Sequence, residues 1–414
     1  MFRKLLTFEE AKALIQKTLQ PKPLGTLEIP LLEAYNRVLA KDAISSLEIP
    51  PFNRSTVDGY AVKAEDTFDA DENNPVKLKV RGFVAIGELP KVKVQEGEAA
   101  EIVTGAPIPQ GANAVVMVED TNRENDTLKV YNSAIENENV QKKGSDIKNS
   151  ETILKAGRIL GSREIGVLAA LGKEKVTVYR VPTAAVVSTG GEVVEPGKKL
   201  PPGKIYDINA YSLCTAVQEC GGKPIYAGVV PDEKKQLQKA LQKALASADM
   251  LLTSGGVSVG PKDLIPQTVD SLGKPGVFIS GIAIKPGKPA TFALIGEKPV
   301  FSFPGHPTSA LMIFHLLARR VIEVMAGKTP KNMPSVKAYA GSRMFSAKGR
   351  RTFVTVKLRM DEKSKHLIAE TVETGASGAI TTLAKADGFL EIPENQQFVD
   401  SDEEVNVWLL KENL

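Results

Sequence analysis

A chain of 414 residues, 42% hydrophobic and 25% charged, exceeds one ordinary domain and has the balance of a globular protein of roughly two to four domains. Its 53 basic and 49 acidic side chains leave a formal charge of only +4, without a long basic block, which argues against nucleic acid as a partner. No apolar run is long enough to span a bilayer, Glu9 and Glu10 interrupt any signal peptide, and Cys214 and Cys220 alone exclude a disulfide framework, so a cytoplasmic location is expected.

The first element is an amphipathic helix. Thr7 and Glu10 form a capping-box pattern, Ala11, Leu14, Ile15 and Leu19 keep helical spacing, and Pro21 and Pro23 end it. From about Tyr60 to Val140, short alternating segments separated by Gly, Pro and Asn predict a β-rich domain. AGRILGSREIGVLAALG predicts a helix with Ser162 as N-cap. From Thr183 apolar strands alternate with helices, one of them capped by Asn209 and stopped at Gly221. That pattern predicts right-handed βαβ units on a mainly parallel sheet. HPTSALMIFHLLARRVIEVMAG predicts one long closing helix. After KTPKNMPS, the runs RTFVTVKL, FLEIP and VNVWLL predict a final small β domain.

The segment 249–309 carries the densest chemistry. DMLLTSGGVSVGPKD, GIAIKPGKPATFALI and KPVFSFPGHPTS read as strands that each deliver a Gly-, Pro- or Lys-rich turn beyond a sheet edge. Ser254, Gly255 and Gly256 offer backbone donors, and Asp263 sits where a helix begins, as a cap or as a Mg²⁺ ligand. Lys285 and Lys288, each followed by proline, are stiffened enough to converge on one small oxyanion, although loop lysines are usually just solvated. Pro307 near a helix start and Ser309 nearby offer an N-terminal anion site, or merely a favourable helix start. This inventory suits a polyanion with a divalent counter-ion. The three histidines and two cysteines have no zinc-ligand spacing, and neither a Walker loop nor a GxGxxG fingerprint is present.

Upstream, PPFNRSTVDGYAV, VTGAPIPQGANAVVMVEDT and KKGSDI are ordinary turns when taken singly. Together with STGGE, SGGVSVGPKD, KPGKP and FPGHPTSAL they follow one another in the order seen in molybdopterin molybdenumtransferases, and the resemblance covers essentially the whole chain. It implies a multidomain α/β plus β protein. The expected parts are a linker region with the N-terminal helix (1–45 and 141–180), a β-rich inserted domain (46–140), a central α/β molybdopterin-binding domain (181–330) and a C-terminal small β barrel (331–414). It further implies a homodimer that takes adenylylated molybdopterin and molybdate, releases AMP with Mg²⁺ present, and leaves molybdenum on the dithiolene.

By that resemblance Lys285, Lys288 and Ser309 bind molybdate, with Arg350 and Ser377 contributing from the C-terminal part. Asp58, Asp146 and Asp263 match catalytic acidic positions, and Glu192, Asp232 and Asp263 match metal-holding ones. Asp58 and Thr104 reach the cleft from the partner subunit, while Ser254, Gly255, Gly256, Pro304 and Gly305 shape the pterin and phosphate pocket. Three positions depart from the family pattern: Gly191 stands where an acidic residue is frequent, His306 replaces an asparagine, and Thr352 replaces an acidic residue. Competing readings are the shorter molybdopterin adenylyltransferase, which is also a candidate partner, and a scaffold role like that of the gephyrin E domain. Tungstate is an alternative oxyanion of similar size and charge.

Overall fold

The computed structural model describes residues 5–256, 264–372 and 380–410. Asp263 and Ser377 lie outside these. The chain divides into two compact units: Lys41–Ala156 with Ser162–Glu174, and Met1–Ala40, Gly157–Gly161 with Lys175–Leu414.

The smaller unit is built on a six-stranded sheet in the order Ala114–Met117, Gly59–Val62, Glu98–Ile102, Val76–Val84, Thr127–Val130, Thr121–Glu124. Only the pairing of Val76–Val84 with Glu98–Ile102 is parallel. Alternation puts Leu78, Val80, Leu128 and Val130 into one core with Tyr60 and Val116. Gly59 opens its strand because a Cβ there would stand 2.0 Å from the Val116 carbonyl oxygen, so strand approach itself demands glycine. The helix predicted near Ser162 is Ser162–Ala170, with Ser162 as its first helical residue rather than its cap.

In the larger unit the first helix is Phe8–Leu19. The Thr7 hydroxyl accepts from the Glu10 amide at 3.2 Å while the Glu10 carboxylate accepts from the Thr7 amide at 2.7 Å, so two otherwise orphaned donors are satisfied reciprocally. Phe8, Ala11 and Ile15 are buried, and the Phe8 ring meets Phe353 edge-on. The central sheet runs Lys223–Val230, Thr183–Thr189, Met250–Ser254, Lys298–Phe303, Thr291–Ile295, Pro275–Ser280. Its first four strands are parallel, and the last two add an antiparallel hairpin. Successive strand residues face opposite sides. Ala184, Val186, Leu252 and Phe301 pack with Asn209–Glu219 and the Pro307–Met325 segment, while Ala185, Val187, Leu251 and Val300 pack with Lys234–Ser247 and Leu264–Asp270. Both faces are therefore covered, as the near-continuous apolar runs require.

Two further expectations are corrected and one is refined. Asn209 is the first residue of Asn209–Glu219 and does not cap it; Asp207 Oδ1 accepts from the Ala210 amide instead. The long closing helix runs without a gap from Pro307 to Met325, but it carries a five-residue π-helical segment, Phe314–Ala318, between Pro307–Ile313 and Arg319–Met325. Finally, KPGKP does not leave the α/β sheet: Ile284–Lys285 pairs in parallel with Arg351 and Thr352 at the edge of the C-terminal sheet. That sheet closes as Arg351–Met360, Leu367–Thr371, Ser335–Ala340, Glu404–Leu409, Gly388–Ile392 and back to Arg351–Met360, a small barrel around Ala338, Val356, Ala369, Leu390 and Val407. Among the described residues no helix is long and apolar enough to cross a membrane.

Candidate active site

Parallel strands in an open α/β sheet point their carboxyl ends at one edge, where ligands bind. Here that edge opens into a cavity of about 630 Å³ lined by Ser188, Glu192, Asp207, Asn209, Ser254 and Gly305, among others.

Each wall is fixed by local chemistry. Strand Met250–Ser254 is buried throughout and ends at Gly255, whose φ is +92°. A Cβ on Gly255 would stand 2.2 Å from the Thr189 carbonyl oxygen, so glycine alone lets this loop cross the neighbouring strand end. Gly256 lies beside Thr189 and Asp232. The Ser254 hydroxyl donates to the Pro304 carbonyl at 3.3 Å, and the Gly255 amide donates to Phe303 O at 3.2 Å, which ties this loop to the turn before Pro307. The excursion after Thr189 is pinned by a short parallel pair, Val193–Val194 with Ile205–Tyr206. The Lys204 ammonium donates to the Gly191 carbonyl, which ties the two sides of this excursion together.

Two residues to which the sequence reading gave no site role line the cleft as well. Asp207 is 3% exposed and accepts from the Ser188 hydroxyl at 2.8 Å, from Ala210 N at 3.0 Å and from the Tyr226 hydroxyl at 3.4 Å. Burial first, then Asp207, pushes the Tyr226 phenol well above its ordinary range. Asn209 donates to both Ser254 Oγ and Gly305 O at 2.7 Å. The signal available in sequence was the polar Asp-Ile-Asn after the strand-like Ile205–Tyr206.

Asp232 is raised above the ordinary aspartate value, first by partial desolvation and then by the Glu192 charge, with the Thr189 hydroxyl working against both. Two neighbouring carboxylates of this kind suit a divalent cation with oxygen ligands. No group of three or more His, Cys, Asp or Glu side chains poised for a metal occurs among the described residues.

Of the oxyanion candidates, Lys285 stands at the edge of the C-terminal barrel sheet. Lys285 is exposed at the start of the turn, and Gly287 packs against Ile313 so tightly that a Cβ would lie 2.5 Å from its Cδ1. Lys288 accepts through its carbonyl from Ile282 N at 2.9 Å. Strand pairing sets Lys285 opposite Thr352, two residues beyond Arg350. Neither lysine nor Arg350 has a carboxylate partner among the described residues. Ser309 is buried in the first turn of Pro307–Ile313. Ser254, Gly255, Gly305 and Glu192 thus share the cleft, whereas Lys285, Lys288, Ser309 and Arg350 are not among its lining.

In the smaller unit Asp58 Oδ1 accepts from the Thr104 amide at 2.6 Å and from its hydroxyl at 2.9 Å. The backbone bond first, then the hydroxyl, holds Asp58 below the ordinary aspartate value. Asp146 is exposed on a turn whose amide donates to Ile49 O at 3.0 Å.

Comparison with known proteins agrees along the whole chain. Family profiles described as MoeA N-terminal region (domain I and II), probable molybdopterin binding domain, and MoeA C-terminal region (domain IV) match residues 6–172, 185–324 and 337–410. A putative molybdopterin biosynthesis protein of Methanocaldococcus jannaschii is 36% identical over 93% of this chain and 92% of its own length. The molybdopterin molybdenumtransferase 2 of Mycobacterium tuberculosis is 32% identical over 92% of this chain and 94% of its own. A crystal structure of the molybdopterin biosynthesis MoeA protein of Pyrococcus horikoshii superposes with a TM-score of 0.86 at 42% identity, covering 99% of this chain and all of that one. The expected order of β-rich unit, α/β core and closed barrel is the order found, and the chain belongs to the molybdopterin molybdenumtransferase (MoeA) family.

Proposed function

We propose that this protein inserts molybdate into adenylylated molybdopterin and releases AMP, yielding molybdenum cofactor. The observation that carries the reading is the strand-end cleft: a preformed cavity of about 630 Å³ with polar groups at its base and the like-charged Glu192 and Asp232 beside it. Cavities of this size hold a heterocycle with its phosphates.

Cleavage of a phosphoanhydride depends on positioning and charge neutralisation more than on a protein nucleophile. Glu192 and Asp232 fit Mg²⁺, because their mutual repulsion is relieved by a cation between them; Asp263 would join them. Bound there, Mg²⁺ would supply charge neutralisation for the phosphates. Ser254, Gly255, Gly256, Pro304 and Gly305 hold the pterin and phosphate. Lys285, Lys288 and Ser309, helped by Arg350 and Ser377, hold molybdate as substrate. Compact ammonium charges recognise a tetrahedral oxyanion without distinguishing molybdate from tungstate. Asp146 is placed in the catalytic group. In a homodimer, Asp58 and Thr104 would complete the cleft of the partner subunit, and a molybdopterin adenylyltransferase is the class of enzyme that must supply the substrate.

The test is AMP release from adenylylated molybdopterin with Mg²⁺, with and without molybdate, and with tungstate in parallel. Molybdate-dependent release with metal retained on the pterin is expected. Release that ignores the oxyanion would overturn the reading.

A further inference from the structure

Asn209 does something its position in the sequence does not require. A helix-initiating asparagine ordinarily bonds its own helix's amides, but Asp207 has taken that task. The Asn209 amide instead reaches across to two other elements, donating to Ser254 Oγ and to Gly305 O at 2.7 Å each. The amide orientation is fixed by its partners. Gly305 O only accepts, and the Ser254 hydroxyl proton is already committed to Pro304 O. Flipping the amide would set its oxygen against the Gly305 carbonyl.

The consequence is a closed circuit, with Asn209 to Ser254, Ser254 to Pro304, and Asn209 back to Gly305. It joins the ends of two adjacent parallel strands, at the level where Ser254 is registered with Phe303. A Cβ on Gly305 would already lie 3.7 Å from Gly255 Cα, so the two turns are held at contact distance. Meanwhile Asn209 Oδ1 is buried and has no hydrogen-bond partner among the described residues. An unsatisfied buried carbonyl is costly, and such atoms are uncommon in folded proteins unless a ligand or water completes them. The group that completes an amide oxygen is an N–H or O–H donor. A pterin ring has N–H donors on its pyrimidinone edge, whereas phosphate and molybdate oxygens would be repelled.

We propose that Asn209 is the positioning residue for the pterin end of the substrate. It clamps the Ser254 loop to the Gly305 turn and leaves its own oxygen for a ring N–H. The proposal rests on the molybdopterin reading above and assigns within that cleft which end of the substrate lies over Asn209.

The test separates affinity from turnover. Asn209→Ala should raise the KM for adenylylated molybdopterin roughly tenfold or more, the equivalent of one lost hydrogen-bonded anchor. kcat at saturation should stay within about threefold, because no reacting atom is touched. Ser254→Ala should act through the same circuit, so the double variant should be little worse than the worse single one. Asn209→Asp, isosteric but unable to donate to Gly305 O, should be at least as impaired as Asn209→Ala. Asn209→Ser replaces Asn209→Ala, with the same expectation, should thermal unfolding show that the alanine protein is not folded. Equilibrium binding of molybdopterin alone, measured in parallel, reads the clamp without turnover. Unchanged affinity in folded Asn209→Ala, additive effects with Ser254→Ala, or a loss confined to kcat would overturn the proposal. Wild-type protein that binds molybdopterin but releases no AMP would count against the reaction proposed above and leave the affinity comparison decisive for Asn209.

Discussion

Asp58 in the β-rich unit and Asp232 in the α/β unit share one letter and opposite electrostatics. Asp58 is satisfied by its own chain: two donors from Thr104 favour its ionised form. Asp232 has partial desolvation and the Glu192 carboxylate against it, with one hydroxyl in its favour. The first is a finished hydrogen-bonded corner. The second is an incomplete charge arrangement, and incompleteness of that kind marks a place for a cation or a ligand donor. The unspent groups of the larger unit repeat the theme, in Lys285, Lys288 and Arg350 without carboxylate partners and in Asn209 Oδ1 without a donor, all among the described residues.

The largest expected effect tests whether the unspent cations matter. Lys288→Ala should lower molybdate-dependent AMP release by about 100-fold, the scale seen when one charge-stabilising donor is removed from a reacting centre. Binding of adenylylated molybdopterin should survive. Undiminished AMP release in this variant would sink the oxyanion assignment and leave the loop as a mere strand connection.

Next comes the cation. Mg²⁺ should raise the thermal midpoint of the wild-type protein, by an amount equivalent to about 2.7 kcal/mol at 100 times Kd. Asp232→Asn should remove most of that rise, and Asp58→Asn should leave it intact. A rise that persists in Asp232→Asn would place the ion elsewhere.

How much of this was legible in the sequence depends on the range of the interactions involved. The parallel sheet was readable because its strands are buried on both faces and so appear as apolar runs such as Ala184–Val187 and Met250–Leu252. The first helix was readable because its capping box lies within four consecutive residues, Thr7 to Glu10. KPGKP was misplaced because two residues, Ile284 and Lys285, pair with a strand more than sixty positions later, and no local pattern announces that. The π-helical segment keeps a helical apolar pattern and so reads as unbroken helix. Asn209 was read as a cap because it stands at the helix start, and no local pattern reveals that its amide bonds residues 45 and 96 positions away while Asp207 serves the helix. The Asp58–Thr104 corner joins motifs 46 residues apart, each an ordinary turn by itself.

The two aspartates also predict opposite pH slopes in metal-free protein. Asp58 is lower in the folded state than unfolded, so its contribution to stability is present above the ordinary value of 3.8 and lost as pH falls through the folded value. Asp232 is raised, so its contribution is present below 3.8 and lost as pH rises through the folded value. Carboxyl NMR titration should find Asp58 titrating below, and Asp232 above, an unperturbed aspartate. Identical midpoints would dissolve the contrast.

The smallest effect divides the Asp58 corner itself. Thr104→Val deletes the hydroxyl donor and keeps the backbone amide, which is the larger of the two influences lowering Asp58. The variant should therefore move Asp58 only part of the way back toward its ordinary value, and the loss of so exposed a hydrogen bond should leave the thermal midpoint nearly unchanged. Full reversion would mean that the amide contact depends on the hydroxyl to hold its geometry. In that case the corner is a single cooperative unit, and Thr104 orients Asp58 through its side chain rather than through the chain path that brings residue 104 back to residue 58.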